Sequence, residues 1–219
     1  MKPLLFALLL VALPLRAEIV DRVLAVVGDR VITWSEACAE AEYQAFRDAL
    51  DPPTCAASGA VDAKSPALQS ALSRLTDQAL LEQAMSRSPF SPPPQEESQE
   101  ELQQLQQSFA DLDAYRAALA RYHLTEEAVR ERLARQQTLL AFVDSLLRPQ
   151  IRIEAAAMER YYEEEFVPEM RRQSSGQPPL LDDVREQIRE ILTQQEINRL
   201  LETRLEELRR GATIKVWPE

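Results

Sequence analysis

The chain has 219 residues; 25 Lys and Arg against 36 Asp and Glu leave it at −11, with one His, two Cys and 45% apolar residues. A charge of that sign repels phosphates and anionic lipid heads, the reverse of what counterion release needs, so nucleic acid is not an expected partner. The four glycines stand apart at 28, 59, 176 and 211, which excludes Gly-rich phosphate loops, and the apolar content suits one core in a single domain.

Lys2 followed by the apolar run Leu4 to Leu13, then Pro14 and Leu15-Arg16-Ala17, has the layout of a secretory signal cleaved after Ala17. Ten apolar residues at ~1.5 Å each cover about half of a ~30 Å hydrocarbon core, too little for an anchor. Residues 1–17 are therefore read as signal peptide, and stable membrane insertion of the mature chain (18–219) is not expected. Export places Cys38 and Cys55 in an oxidising compartment. A Cys38–Cys55 disulfide would close a short loop and stabilise the fold by about 3 kcal/mol. Two free thiols or a metal pair are the alternatives, and the one distant His speaks against metal.

Residues 23–27 and 31–32 read as two short strands around a Gly28-Asp29 turn. Such a hairpin is marginal alone, and the only other convincing strand is Thr213 to Trp217, with Ile214 and Val216 on one face. The two chain ends are thus expected to meet in one small antiparallel sheet. Everything between reads as helix. Thr33-x-x-Glu36 opens the first, running to about Leu50. Leu68, Leu72, Leu75 and Ala79 mark the second, to about Arg87, and SPFSPPP (88–94) breaks it. Ser98-x-x-Glu101 caps the third, and Leu112, Tyr115, Leu119 and Tyr122 mark a short fourth.

Thr125 caps a longer helix through Leu147, which Pro149 stops. A further helix over 154–167 is expected to kink or end at Pro168, followed by a linker, RRQSSGQPP, at 171–179. Leu181 to Leu208 forms a last long helix with Gly211 as its C′ residue. The expected fold class is mainly α, with a small sheet joining the N-terminal hairpin and the C-terminal strand.

No catalytic constellation stands out. His123, the sole imidazole, sits before a helix cap and reads as a surface or capping residue. Glu163, Glu164 and Glu165 point around a helix instead of converging. The feature of most interest is the stripe Met158, Tyr161, Tyr162, Phe166 and Met170. Met and aromatic side chains suit adaptable contact with varied apolar partners. Ordinary core packing is the other reading of the same spacing, so the five are candidate peptide-binding residues.

Four segments together resemble the SurA-type periplasmic chaperones. They are EIVDRVLAVVGDRVITWSE, ALQSALSRLTDQALLEQA, TEEAVRERLARQQTLLAFVDSLLRPQIRIE and LDDVREQIREILTQQEINRLLETRLEELRRGATIKVWPE. The similarity spans nearly all of 18–219. It implies a multi-helix chaperone core built from an N-terminal part (18–168) and a returning C-terminal helix and strand (180–219). It also implies an ATP-independent holdase in the periplasm, binding unfolded export-bound polypeptides such as outer-membrane protein precursors in an apolar crevice, without cofactors. Family members commonly insert parvulin prolyl isomerase domains between these parts. Here only residues 169–179 are available, far short of the roughly hundred residues such a domain needs, so isomerase activity is not expected. A secreted helical scaffold, self-associating as a dimer or larger assembly through the long last helix, is the alternative.

Overall fold

The computed structural model describes residues 21–53, 65–92, 96–173 and 177–217, with 96–98 as backbone only. The expected signal segment and Cys55 lie outside the described residues. The fold is mainly helical with one small antiparallel sheet. Strands β1 (Val23–Val27), β2 (Arg30–Thr33) and β3 (Ile214–Val216) run in the order β2-β1-β3. The chain ends therefore meet as the sequence indicates. Gly28 begins the two-residue turn at φ +62°, a region that L side chains avoid. Its N–H donates to the Thr213 carbonyl at 2.9 Å. A Cβ there would also stand 2.8 Å from Gln83 Nε2, which donates to the Val27 carbonyl.

Helix α1 (Trp34–Arg47) starts where β2 ends, and its first three N–H groups all find acceptors. Trp34 N–H bonds the Arg22 carbonyl at 2.7 Å, Ser35 N–H the Asp21 carboxylate at 3.2 Å, and Glu36 N–H the Thr33 hydroxyl at 3.4 Å. The Glu36 carboxylate turns to Arg30. At the other end, Ala49 takes φ +52° and Leu50 N–H reaches back to the Ala45 carbonyl at 2.9 Å, a Schellman closure made without glycine. Helix α4 (Leu112–Arg121) ends the same way, with His123 at φ +51° and Leu124 N–H on the Leu119 carbonyl at 2.9 Å. Few glycines leave the left-handed cap positions to Ala and His.

Between them, α2 (Pro66–Ser86) is capped by Ser65, and α3 spans Glu96–Gln107. Ser98 thus lies inside α3 instead of at its cap, because the helix begins two residues earlier. Helix α5 (Glu126–Leu147) opens on Thr125 and gives way to a 3₁₀ turn at Arg148–Gln150, where Pro149 withholds an N–H. Helix α6 (Ala155–Tyr161) does not stop at Pro168. A π turn over Tyr162–Phe166 leads into α7 (Val167–Gln173), so the helical path covers the start of the expected linker. The wider turn shifts the carbonyls just ahead of the proline ring, where a regular helix would clash with it. Helix α8 runs 31 residues, Leu181–Gly211. Gly211 is its last helical residue, not a left-handed C′ residue; the chain leaves through an extended Ala212.

The apolar material divides into four clusters instead of one core. The sheet packs on α1 and α2 around Ile32, Leu75 and Leu80. Phe46, Tyr115, Tyr122 and Leu133 gather α1, α3, α4 and α5, with Phe46 and Phe109 stacked at 5.7 Å. Val143, Leu147 and Ile197 join α5 to α8, and Met158, Val184 and Ile188 join α6 to α8.

Two outcomes follow from the caps. Replacing exposed Ala49 by Gly removes the left-handed penalty and should stabilise by about 1 kcal/mol, raising the thermal midpoint by ~2–4 °C. Burial works against ionisation of Asp21, but hydrogen bonds from Ser35 and Thr33 outweigh it and hold its carboxyl below the usual value. Its contribution is therefore present above the unfolded carboxylate pKa and is lost as pH falls through the folded one. Asp21→Asn should cost only ~0.5 kcal/mol at neutral pH, because the group is solvent-screened. Urea melts at descending pH should show that difference closing below about pH 4.

Candidate functional site

A groove of about 640 Å³ lies between the α1–α2 pair and α5, with Leu201 of α8 at one end. Its α5 wall is a single helical stripe: Ala128, Arg132, Arg135, Leu139 and Val143 recur at spacings of three and four. The stripe is charged in its first half and apolar in its second. Leu75, Leu81, Leu139, Val143 and Leu201 supply the apolar lining, and Leu140 stands beside them 53% exposed. A neighbouring recess of about 370 Å³ shares Glu131, Arg135 and Leu139, so the depression continues between α2 and α5 toward Met85.

Charges along the groove answer one another across it. Arg132 of α5 lies 3.7 Å from Glu40 of α1 and sits 5.3 Å from the centre of the Tyr43 ring. Arg135 lies 3.9 Å from Glu82 of α2. Both separations are long for ion pairs, and each crosses from α5 to the opposing wall. Asp77 is held from the other side by Arg209, through two bonds of 2.9 and 2.6 Å. The result is a trough of mixed lining, apolar at Leu75, Leu81, Leu139, Val143 and Leu201 and edged by charges of both signs, some of them paired and others, such as Arg74 and Glu131, without an ion pair among the described residues. It can take up apolar side chains while the rim bonds the polar groups of whatever lies in it.

The five-residue stripe is brought together only in part. Met158 is 3% exposed and packs beneath α8 with Val184 and Ile188, so it is a core residue and not a contact surface. Tyr161, Tyr162 and Phe166 are half-buried against the same cluster. Tyr162 and Phe166 stack at 6.0 Å, and the Tyr162 hydroxyl donates to the Pro179 carbonyl at 2.8 Å, tying the π turn to the approach to α8. Burial, reinforced by Glu165, pushes the Tyr161 phenol up. Met170 lies on α7, half-buried. Of the five, only Met158 is fully buried; Tyr161, Tyr162, Phe166 and Met170 are half-buried, and none of the five lines the groove.

Cys38 is buried on α1 and disulfide-bonded; its expected partner position, Cys55, lies outside the described residues. His123 closes α4, and its Nδ1 stands 3.0 Å from Glu42 Oε1 of α1. No group of three or more His, Cys, Asp or Glu among the described residues could hold a metal ion. No helix among them is long and apolar enough to cross a membrane.

The groove was not singled out from sequence. The available signal was the mixed Arg/Leu stripe of α5, which reads as an ordinary amphipathic face until α1 and α2 are placed opposite it. The packing role of Met158 has a direct check: Met158→Ala should cost about 2–5 kcal/mol in chemical denaturation, whereas Leu140→Ala should cost no more than about 0.5 kcal/mol. No family model and no curated protein matches the chain.

Proposed function

We propose that the protein is an exported, ATP-independent holdase of the SurA type that lacks a parvulin domain and acts in the periplasm on unfolded, export-bound polypeptides such as outer-membrane protein precursors. The observation that carries this reading is the open groove between α1–α2 and α5, which offers a run of apolar side chains and is crossed by the Arg132–Glu40 and Arg135–Glu82 pairs. A holdase must bind many sequences and let them go. That favours micromolar affinity, ~8 kcal/mol, drawn from shallow apolar contact instead of one deep pocket. Paired rim charges suit such use, since no isolated buried charge demands a specific partner. The closure of both chain ends into one sheet, with α8 as the returning helix, agrees with the architecture the sequence resemblance implies.

The scaffold reading draws less support. It needs an apolar face on α8 for self-association. Leu181, Val184, Ile188, Ile197, Leu201 and Leu208 instead enter three intramolecular clusters.

The test is dilution of a denatured outer-membrane β-barrel protein with and without the chain, in the absence of nucleotide. Stoichiometric suppression of aggregation is expected. Leu140→Asp should weaken it several-fold while moving stability by less than about 0.5 kcal/mol, because Leu140 is exposed at the groove. No suppression at tens of micromolar by protein shown to be folded would contradict the reading.

A further inference from the structure

The pairing of β3 with β1 determines which of its main-chain groups are used. Gly28 N–H donates to the Thr213 carbonyl and Trp217 N–H to the Leu24 carbonyl, both at 2.9 Å. Residues 213, 215 and 217 therefore face β1, and the alternate residues Ile214 and Val216 turn their N–H and C=O groups to the opposite side. The sheet order β2-β1-β3 places no further strand there among the described residues.

The two edges of this sheet are treated differently. On β2 the outward residue is Val31, and its carbonyl is taken by the Arg30 guanidinium, which also pairs with Glu36. Thr33, the next outward residue, spends its hydroxyl capping α1. Charged side chains laid over an edge in this way block strand addition. On β3 no side chain among the described residues covers the outward groups, and Val216 and Trp217 are 51% and 47% exposed.

The side chains on the edge define what would fit it. Across the three strands, Val31, Val26 and Lys215 form one row, and Ile32, Ala25 and Val216 form the row on the other face. A fourth strand would extend both rows. It would meet an exposed apolar residue on one face and, on the other, an ammonium that has no ion-pair partner among the described residues. Charge complementarity asks for a carboxylate opposite Lys215, and the apolar row asks for an apolar side chain beside Val216.

We propose that β3 is a docking edge for one extended segment of a non-native polypeptide, an amphipathic strand with a carboxylate opposite Lys215 and apolar side chains on the Val216 face. This rests on the holdase reading for the identity of the occupant. Main-chain pairing is indifferent to sequence, so the edge adds a recognition element that an apolar groove lacks: it selects the extended conformation and alternating pattern of a strand.

Val216→Pro tests it cleanly. Proline removes one of the two N–H groups that face away from β1, the other being that of Ile214, and an edge strand tolerates it there. The probe is a fluorescein-labelled peptide of about seven residues, alternating Val and Thr with a central Asp, titrated with the purified full chain. Saturable binding is expected, weakened at least about tenfold by Val216→Pro at unchanged thermal midpoint, and equally by N-methylation of the peptide backbone. Undiminished binding in either case overturns the proposal. Should Val216→Pro lower the midpoint, Lys215→Glu keeps the main chain intact and should switch preference to a peptide with central Lys; no switch overturns it. Dimerisation of the protein alone that Val216→Pro abolishes would overturn it in favour of pairing with a second copy. Aggregation suppression without peptide binding overturns the edge and leaves the holdase reading standing.

Discussion

The structure depends on the return of α8. Along its length it meets the α6 cluster, then the end of α5, and finally the sheet, so three of the four apolar clusters share this one helix. Two arginine clamps fix its placement. Arg148 holds Glu190 through two bonds of 2.9 Å, and Arg209 holds Asp77 at 2.9 and 2.6 Å. The bonds from Arg148 hold the Glu190 carboxyl below its usual value. Beyond α8, β3 supplies the third strand that makes a marginal hairpin viable. Those contacts join residues from opposite ends of the chain, so folding must close a long loop before the sheet contributes.

The same arrangement leaves the groove open. With α8 tying α5 at its C-terminal end and α2 near the sheet, α1 and α5 meet in the cluster around Phe46 and Leu133, while the groove between the α1–α2 pair and α5 stays open. The long pairs Arg132–Glu40 and Arg135–Glu82 and the Arg132–Tyr43 contact cross it. A single dense core would have filled this space with side chains. Several small clusters strung along helices leave room between them, and in this fold that room is lined by leucines on one side and by charges on the other. Leu75, Leu81, Val143 and Leu201 serve the intramolecular clusters as well as lining the groove, whereas Leu140 is left exposed beside them for the proposed client binding.

Most of the architecture was legible in the sequence because its signals are local. Thr33 and Thr125 cap the helices they precede, and Gly28-Asp29 makes the hairpin turn. The pairing of the chain ends followed from counting strands, since only 213–217 could complete the sheet. Where the reading missed, competing local effects decided. Of the two outcomes expected at Pro168, a kink or an end, the helix does not end there: a π turn, whose i→i+5 bond no periodicity announces, carries the helical path past it. Gly211 stays helical and Ala212 takes the extended exit, while one left-handed cap falls to Ala49, a residue without that preference; the other falls to His123, in keeping with its reading as a capping residue. For the site, the Met and aromatic stripe was conspicuous by composition, yet Met158 is covered by α8. The groove is made by α1 and α2 facing the sequence-distant α5, with Leu201 of α8 at one end, and no one of these helices carries an unusual pattern.

The central claim is that the α1–α5 groove is where non-native chains are held. Hydrogen–deuterium exchange of the protein, alone and with a denatured β-barrel protein, tests it without altering a residue. The account predicts slowed exchange on α1 and on α5 over 128–143, with α3 and α4 unchanged. Protection confined to α3 and α4, or to the outer face of α8, would contradict it.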